Sequence, residues 1–383
     1  MHNFRNRTNM NILIDCTNLK VGGGVQVATS FINDLYDLDM FENQLISHYK
    51  FYIALSTQMK NSFGGKKFSE RFIFLNKRNY LSKIETSKYL KDVEKREKID
   101  KTFCVFGPSY YKSKTPKIVG YAIPHFIYKD SPYITSLSLR KKIQLILMQI
   151  IKIKLFEKNS DHLIFETEDV KIKFCELYNF KIENTSVVSN TLNSIFLKKN
   201  DWSNKKFNLS NDFNILALSA NYPHKNLAII PEIIDILIKK RISCDFKFIL
   251  SVTKKDLPLP EKYHKYIDFI GFIPLTDLPN LYSSVDLLFM PTLLECFSTT
   301  YLEAMFMEVP ILASDMSFAK DVCGEAAHYY KSTSAKSAAD ALEFLIENST
   351  ARSELIHNGI QKISSYGTSM DRTKRYIQLI EEL

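Results

Sequence analysis

Two doubly wound α/β domains with mainly parallel sheets are predicted for this chain, and three observations predict them. Short β-rich runs alternate with helical stretches along almost the whole length, the signature of βαβ units. The 383 residues exceed what one ordinary core fills, since single cores stop growing near about 250–300 residues. A polar stretch rich in Asn and Lys and empty of core pattern, KKNDWSNKKFNLSNDFN, divides the alternation in two. Apolar residues make up 45% and charged residues 24% of the chain, which excludes a disordered protein, and no repeat or coiled-coil period is present.

The first nine residues, MHNFRNRTN, are polar and basic without an apolar h-region, and are expected to be a disordered leader. The first domain spans 10–195, with strands at NILID (11–15), FYIAL (51–55), RFIFL (71–75), FCVF (103–106), KIVGYA (117–122) and HLIF (162–165) and helices between them. Residues 196–212 read as the linker. The alternation restarts in a second domain, 213–365, with NILALS (214–219), a helix over 226–240, FKFIL (246–250), DFIGF (268–272), DLLFM (286–290), a helix from about 298 and PILAS (310–314). The tail is helical in pattern and longer than the second sheet requires, so its last segment, 366–383, is expected to cross back to the first domain.

Fifty-one Lys and Arg against 42 Asp and Glu give a net charge of +9, which suits a polyanionic partner or an anionic membrane surface. Nucleic acid is not expected, because no binding signature is present and the basic residues are spread along the chain. One segment concentrates charge: LRKKIQLILMQIIKIKLFEKN, 139–159, is too interrupted by Gln149, Lys152 and Lys154 to span a bilayer. It reads as a helix with its apolar side on the core and its lysines solvated, or as a basic amphipathic helix on anionic lipid, and the two readings are compatible. Six scattered cysteines with no C-x-x-C pair read as reduced core residues of a cytoplasmic protein.

In open parallel sheets ligands bind at the carboxyl ends of the strands. There, after DLLFM, the stretch PTLLECFSTTYLEAM places Glu295 and Glu303 eight positions apart around a Ser-Thr-Thr run. A helix starting at Ser298 or Thr299 leaves its first N–H groups unpartnered and partly positive, a ready phosphate site, which the hydroxyls of Ser298, Thr299 and Thr300 can cap or join. Carboxylates beside a diphosphate would repel it, so the two glutamates need another task. An ionised carboxylate only accepts hydrogen bonds, and a vicinal diol offers two donors. A nucleotide sugar supplies both parts, a ribose diol on one side of the diphosphate and sugar hydroxyls on the other.

The E-x7-E run followed by VPILASD and CGEAAHYY, with NILALSANYPHKNL and IGFIPLTDLPNLYSSVDLLFMPT upstream, resembles the donor-site region of the family 4 (group 1) retaining glycosyltransferases of GT-B fold. The likeness covers about residues 213–331; in the first half it rests on NILIDCTNLKVGGGVQVA, SDHLIFETEDVKIKF and VVSNTLN. It implies two Rossmann-like domains facing a cleft. It also implies transfer of a sugar from a UDP- or GDP-linked donor, with retention, to a glycan or lipid-linked acceptor in O-antigen, capsule or similar surface-polysaccharide synthesis. Such enzymes work in the cytoplasm or on the inner membrane face.

By the same resemblance Glu303 binds the ribose and Glu295 lies by the transferred sugar; Phe297, Ser298, Thr299, Thr300 and Asn221 are candidates for lining the donor. Lys225 meets the diphosphate, where a cation stabilises the leaving charge. His125 is either a residue facing the sugar or a packed loop histidine, and Phe126 follows it where relatives have Asp. Gly23 and Gly24 of VGGGVQVA are placed near acceptor and diphosphate, or in a plain tight turn, and Asn190 in a structural turn.

Three positions depart from the pattern. Ala220 stands for an arginine, so Asn221, Tyr222 or His224 would have to substitute; Ser298 and Glu308 stand for glycines. A glutamate in a left-handed C′ position would be strained, so the helix is expected to end differently. No cofactor is expected, and no metal, since no H-x-x-H, D-x-D or Cys cluster follows a strand. A dinucleotide fingerprint fails because Val27 occupies the third glycine place and FYIALS ends without a ribose-binding acid. A nucleotide-sugar epimerase of the same fold and a non-catalytic nucleotide-sugar or glycan binder are the rival readings.

Overall fold

The computed structural model describes residues 9–383 except Val21, Lys60, Asn61, Gly64, 76–81 and Ser210. The expected leader therefore lies outside the described residues but for Asn9. Two compact units are present, one of residues 9–123, Arg140–Asn190 and Ser369–Leu383, the other of Pro124–Leu139 and Thr191–Thr368.

The first unit runs β1 (Met10–Cys16), α1 (Gly23–Phe41), β2 (Tyr49–Leu55), β3 (Phe72–Phe74), α2 (Lys83–Arg96), β4 (Lys101–Cys104) and β5 (Lys117–Tyr121). The chain then leaves for the second unit, where it forms α3 (Pro132–Thr135). It returns as α4 (Leu139–Asn159), β6 (His162–Phe165), α5 (Glu168–Tyr178) and β7 (Thr185–Val187). These strands make one sheet in the order β3-β2-β1-β4-β5-β6-β7, every pair parallel. β1 sits centrally, with Ile14 opposite Ile53 of β2 and Phe103 of β4. It is apolar on both faces because both are covered: Ile12 and Ile14 join Phe31 and Leu35 of α1, while Leu13 joins Tyr52 and Val93 on the other side.

The second unit runs β8 (Phe213–Ala217), α6 (Ile230–Lys240), β9 (Phe246–Leu250), β10 (Ile267–Phe269), α7 (Leu278–Tyr282), β11 (Leu287–Met290), α8 (Thr299–Phe306), β12 (Ile311–Ser314), α9 (Ser317–Cys323), β13 (Ala327–Tyr330), α10 (Ala335–Glu347) and α11 (Ser349–Ile363). Its parallel sheet has the order β10-β9-β8-β11-β12-β13. The order reverses between β8 and β11, the crevice where such sheets take ligands. α6 covers one face with Ile230, Ile233, Ile234 and Leu237, all buried and spaced i, i+3, i+4, i+7.

α12 (Ser369–Glu382) closes the chain inside the first unit. Tyr376 packs edge-on to Phe31 at 5.5 Å and against Phe103 at 5.0 Å. The Thr373 hydroxyl donates to Asp34 Oδ2 at 2.9 Å, and Arg372 Nη1 donates to Asn190 Oδ1 at 2.5 Å, so Asn190 holds this helix. Lys101 Nζ caps the carbonyls of Ile380 and Glu381 at 2.7 and 2.9 Å, a favourable place for a cation.

The structure departs from the sequence reading in five respects. Pro124–Leu139 clusters with the second unit and not with the first, because Phe126, Ile127 and Tyr128 are buried, Tyr128 packs on Phe318 at 5.5 Å and the Ser131 hydroxyl donates to the Leu293 carbonyl at 2.6 Å. The supposed linker is structured: short 3₁₀ turns occupy Ser194–Leu197 and Lys199–Asp201, and Ser203 bonds Thr276 and Asn280 through its backbone. Cys175 and Cys244 are only half-buried, unlike the other four cysteines. Glu308 does adopt the left-handed conformation, at φ 58°, and the helix ends in it as it would in a glycine. Lastly, most of the apolar side of α4 is not on a core: only Ile153, Phe156 and Asn159 of its 21 residues are buried.

Candidate functional site

The carboxyl ends of β8 and β11 bring two distant loops together. After β8 the chain forms a 3₁₀ turn, Pro223–Lys225, closed by Asn226 in the left-handed conformation. After β11 it runs through the buried Pro291 to Leu294 before Glu295. The Leu293 amide donates to the His224 carbonyl at 2.8 Å, which ties the loops through their backbones. Their side chains then meet: Lys225 Nζ donates to Glu295 Oε1 at 2.8 Å, with the two side chains 14% and 19% exposed. Glu295 Oε2 is buried and has no partner among the described residues. A buried carboxylate oxygen without a donor is costly, so this acceptor is left unsatisfied.

α8 begins directly after this pair. Ser298 is its N-cap, in extended conformation at φ −127° and ψ 122°, yet its side chain makes no capping bond. The first amides of α8 therefore keep their donor capacity toward an anion. Phe297 packs on the Tyr366 ring at 5.8 Å, whose hydroxyl donates to the Val322 carbonyl at 2.8 Å. Thr299 and Thr300 lie in the first turn; Thr299 bonds the Glu303 carboxyl, and the Thr300 carbonyl accepts from Tyr282 Oη at 3.4 Å.

Glu303 lies one turn into α8 and is only 5% exposed. Tyr282 Oη donates to its Oε2 at 3.0 Å. Burial pushes its carboxyl up to about 7, against the lowering effect of the bonds from Tyr282 and Thr299. Near neutral pH it is thus shared between acid and carboxylate, and any ligand offering hydroxyl donors favours the carboxylate.

His125 and His224 are brought together by the Pro124–Leu139 excursion. Their rings lie 6.3 Å apart, and Tyr133 lies 6.2 Å from the first and 5.7 Å from the second. His224 also stacks on the exposed Tyr222 at 5.7 Å with planes 4° apart. Burial, then the Lys225 and His125 charges, push His224 down to about 4, so its imidazole is neutral at physiological pH. Asn221 is exposed and donates to the Asp256 carbonyl at 2.6 Å, fastening the loop after β8 to the loop after β9.

Gly23 and Gly24 open α1 in the first unit. Gly22 carries the left-handed backbone, at φ 73°, while a side-chain carbon on Gly24 would press on Leu19 at 3.3 Å and one on Gly23 would meet open space. Among the described residues no group of three or more His, Cys, Asp and Glu is placed to hold a metal ion. Sequence reasoning missed Tyr282 and Tyr133 altogether and took His224 only as a stand-in for arginine. The run LPNLYSSVD carries no local sign that its tyrosine meets a glutamate 21 positions away.

Residues 201–362 match the family model of glycosyl transferases group 1. The matched stretch lies within the second unit, which is similar to that family. The O-antigen chain mannosyltransferase RfbU of Salmonella typhimurium is 27% identical over 205 residues, 50% of this chain and 52% of RfbU, so the match spans about half of each. Among solved structures, a glycosyltransferase from Rickettsia africae superposes with TM-score 0.69 at 14% identity, covering 98% of both chains. Anabaena Alr3699/HepE in complex with UDP superposes with TM-score 0.68 at 13% identity, over 98% of this chain and 100% of that one. At such identities the likeness concerns the fold, which is that of the GT-B glycosyltransferases with two Rossmann-like domains.

Proposed function

We propose that the chain is a glycosyltransferase that moves a sugar from a UDP- or GDP-linked donor to a glycan or lipid-linked acceptor, with retention and without a metal, in O-antigen or related surface-polysaccharide synthesis in the cytoplasm. The observation that carries the reading is the Lys225–Glu295 pair at the β8/β11 switch point, beside a helix start whose serine makes no capping bond.

In this reading the α8 amides and Ser298 receive the diphosphate, and Lys225, with donors left beyond the one given to Glu295, meets its oxygens. As the glycosidic bond breaks, negative charge grows on the leaving nucleoside diphosphate, and preorganised donors stabilise it without reorganising. Glu295 Oε2 accepts from a hydroxyl of the transferred sugar. Glu303 accepts from the ribose diol, for which Tyr282 and Thr299 hold its carboxylate in place. Retention and family 4 membership rest on the resemblance of the E-x7-E segment, and the pathway on the likeness to an O-antigen mannosyltransferase.

The experiment is incubation with labelled UDP- and GDP-sugars without acceptor, followed by product analysis. Slow hydrolysis of one donor is the expected result. A new epimer, or binding without any turnover, would replace this reading with an epimerase or a non-catalytic binder.

A further inference from the structure

We infer that α4 is a docking surface for an anionic lipid bilayer. This deepens the proposed function by naming the surface on which the chain works, and its test needs no transfer activity.

The observation is an apolar helix face turned to solvent. Ile143, Ile146, Leu147, Ile150 and Ile151 are 50%, 54%, 57%, 47% and 61% exposed. Leu139, Ile143, Ile146 and Ile150 follow the i, i+4, i+7, i+11 spacing of one helical stripe, with Leu147 and Ile151 alongside it. Soluble helices turn such a stripe inward, and a contiguous exposed apolar patch marks an interaction site. The inward side of α4 is served by Ile153 and Phe156 in its last turns.

Charge selects the occupant. α4 carries six basic residues and one acid, Glu157, a net +5, and Arg140, Lys141, Lys154 and Lys158 are exposed. A second copy of the chain would set this charge against itself, whereas anionic headgroups complement it. No helix among the described residues is long and apolar enough to cross a membrane. A basic helix with an exposed apolar stripe lies in the interface plane, its isoleucines at the acyl boundary and its lysines at the headgroups.

The test is co-sedimentation of the full chain with phosphatidylcholine vesicles, with and without phosphatidylglycerol, at low and high salt. Binding to the anionic vesicles, weakened by salt, is expected. Ile146→Gln with Ile150→Gln should lower partitioning by about 10-fold or more, as should Arg140→Gln, Lys141→Gln, Lys154→Gln and Lys158→Gln together. All these residues are exposed, so the variants should keep the parental circular dichroism and nucleotide affinity. Absence of vesicle binding by the parent chain, or unchanged binding by the isoleucine variant, overturns the inference. So does a parent that elutes as a dimer which the same substitutions dissociate. None of these results touches the donor site.

Discussion

Lys225 and Glu295, 70 positions apart, form an ion pair of 2.8 Å that joins the loops after β8 and β11. The pair keeps a cation and a carboxylate preorganised at a switch point, with Ala220 leaving the lysine without the arginine that the resemblance implies.

If the proposed transfer holds, Lys225→Ala should lower kcat by about 10²- to 10³-fold, the usual loss on removing one preorganised charge-stabilising donor, and EDTA should not affect the parent protein. Steady-state kinetics with the donor found by screening checks this. A variant near the parental rate, or EDTA inactivation that Mg²⁺ or Mn²⁺ reverses, would show that the leaving charge is stabilised elsewhere.

Glu303→Ala should lose affinity for the nucleoside diphosphate while staying folded, as followed by titration calorimetry. In the parent, a diol needs the carboxylate, and the carboxyl titrates near about 7. Affinity should therefore rise by up to about 10-fold per pH unit below that value and level off above it, with proton release seen as a dependence on buffer ionisation enthalpy. Equal affinity at pH 5.5 and 7.5 would remove Glu303 from the ribose site.

Glu303 also carries a stability signature. Its folded value, about 7, stands above the ordinary 4.5, so the folded state holds a proton that the unfolded state has released. The resulting stability is fully present below pH 4.5 and is lost as pH rises to about 7, by about 3 kcal/mol. Relative to Glu303→Gln, which cannot ionise, the parent should lose melting temperature across that window. A constant difference between the two proteins would contradict the buried carboxyl.

His224 should act in the opposite sense. Its folded value, about 4, lies below the ordinary 6.5, so stability present above pH 6.5 is lost as pH falls toward 4. Replacing it with Phe, which keeps a ring on Tyr222, should remove this acid loss. Equal acid sensitivity of parent and His224→Phe in thermal melts would mean that the imidazole is not held neutral.

Tyr376→Ala should destabilise the first unit by about 3–5 kcal/mol, the range for truncating a buried aromatic, since its ring is 3% exposed against Phe31 and Phe103. Urea unfolding is the measurement, and a loss under about 1 kcal/mol would show that α12 contributes little to that core.

Much of the fold was legible because periodicity is local. Runs such as NILID and NILALS, apolar on both faces, announce central parallel strands, and the strand-to-helix turn around Phe297 and Ser298 is written in adjacent residues. The E-x7-E spacing carried weight only together with the runs around it, VPILASD and CGEAAHYY among them, on which the expectation of a nucleotide-sugar donor rests.

Sequence by itself determined the α/β alternation, the division into two Rossmann-like halves and the segment that carries the candidate site. Tertiary structure decided what those residues meet. Tyr282 reaches Glu303, and Lys225 reaches Glu295, only because β8 and β11 are neighbours in a sheet whose order reverses there. His125 leaves its own half because Phe126 and Tyr128 find burial in the other unit. The lysines and isoleucines of α4 read equally well as a core helix or a surface one. A hydrophobic period records that a helix has two faces, and which face turns outward depends on what packs beside it.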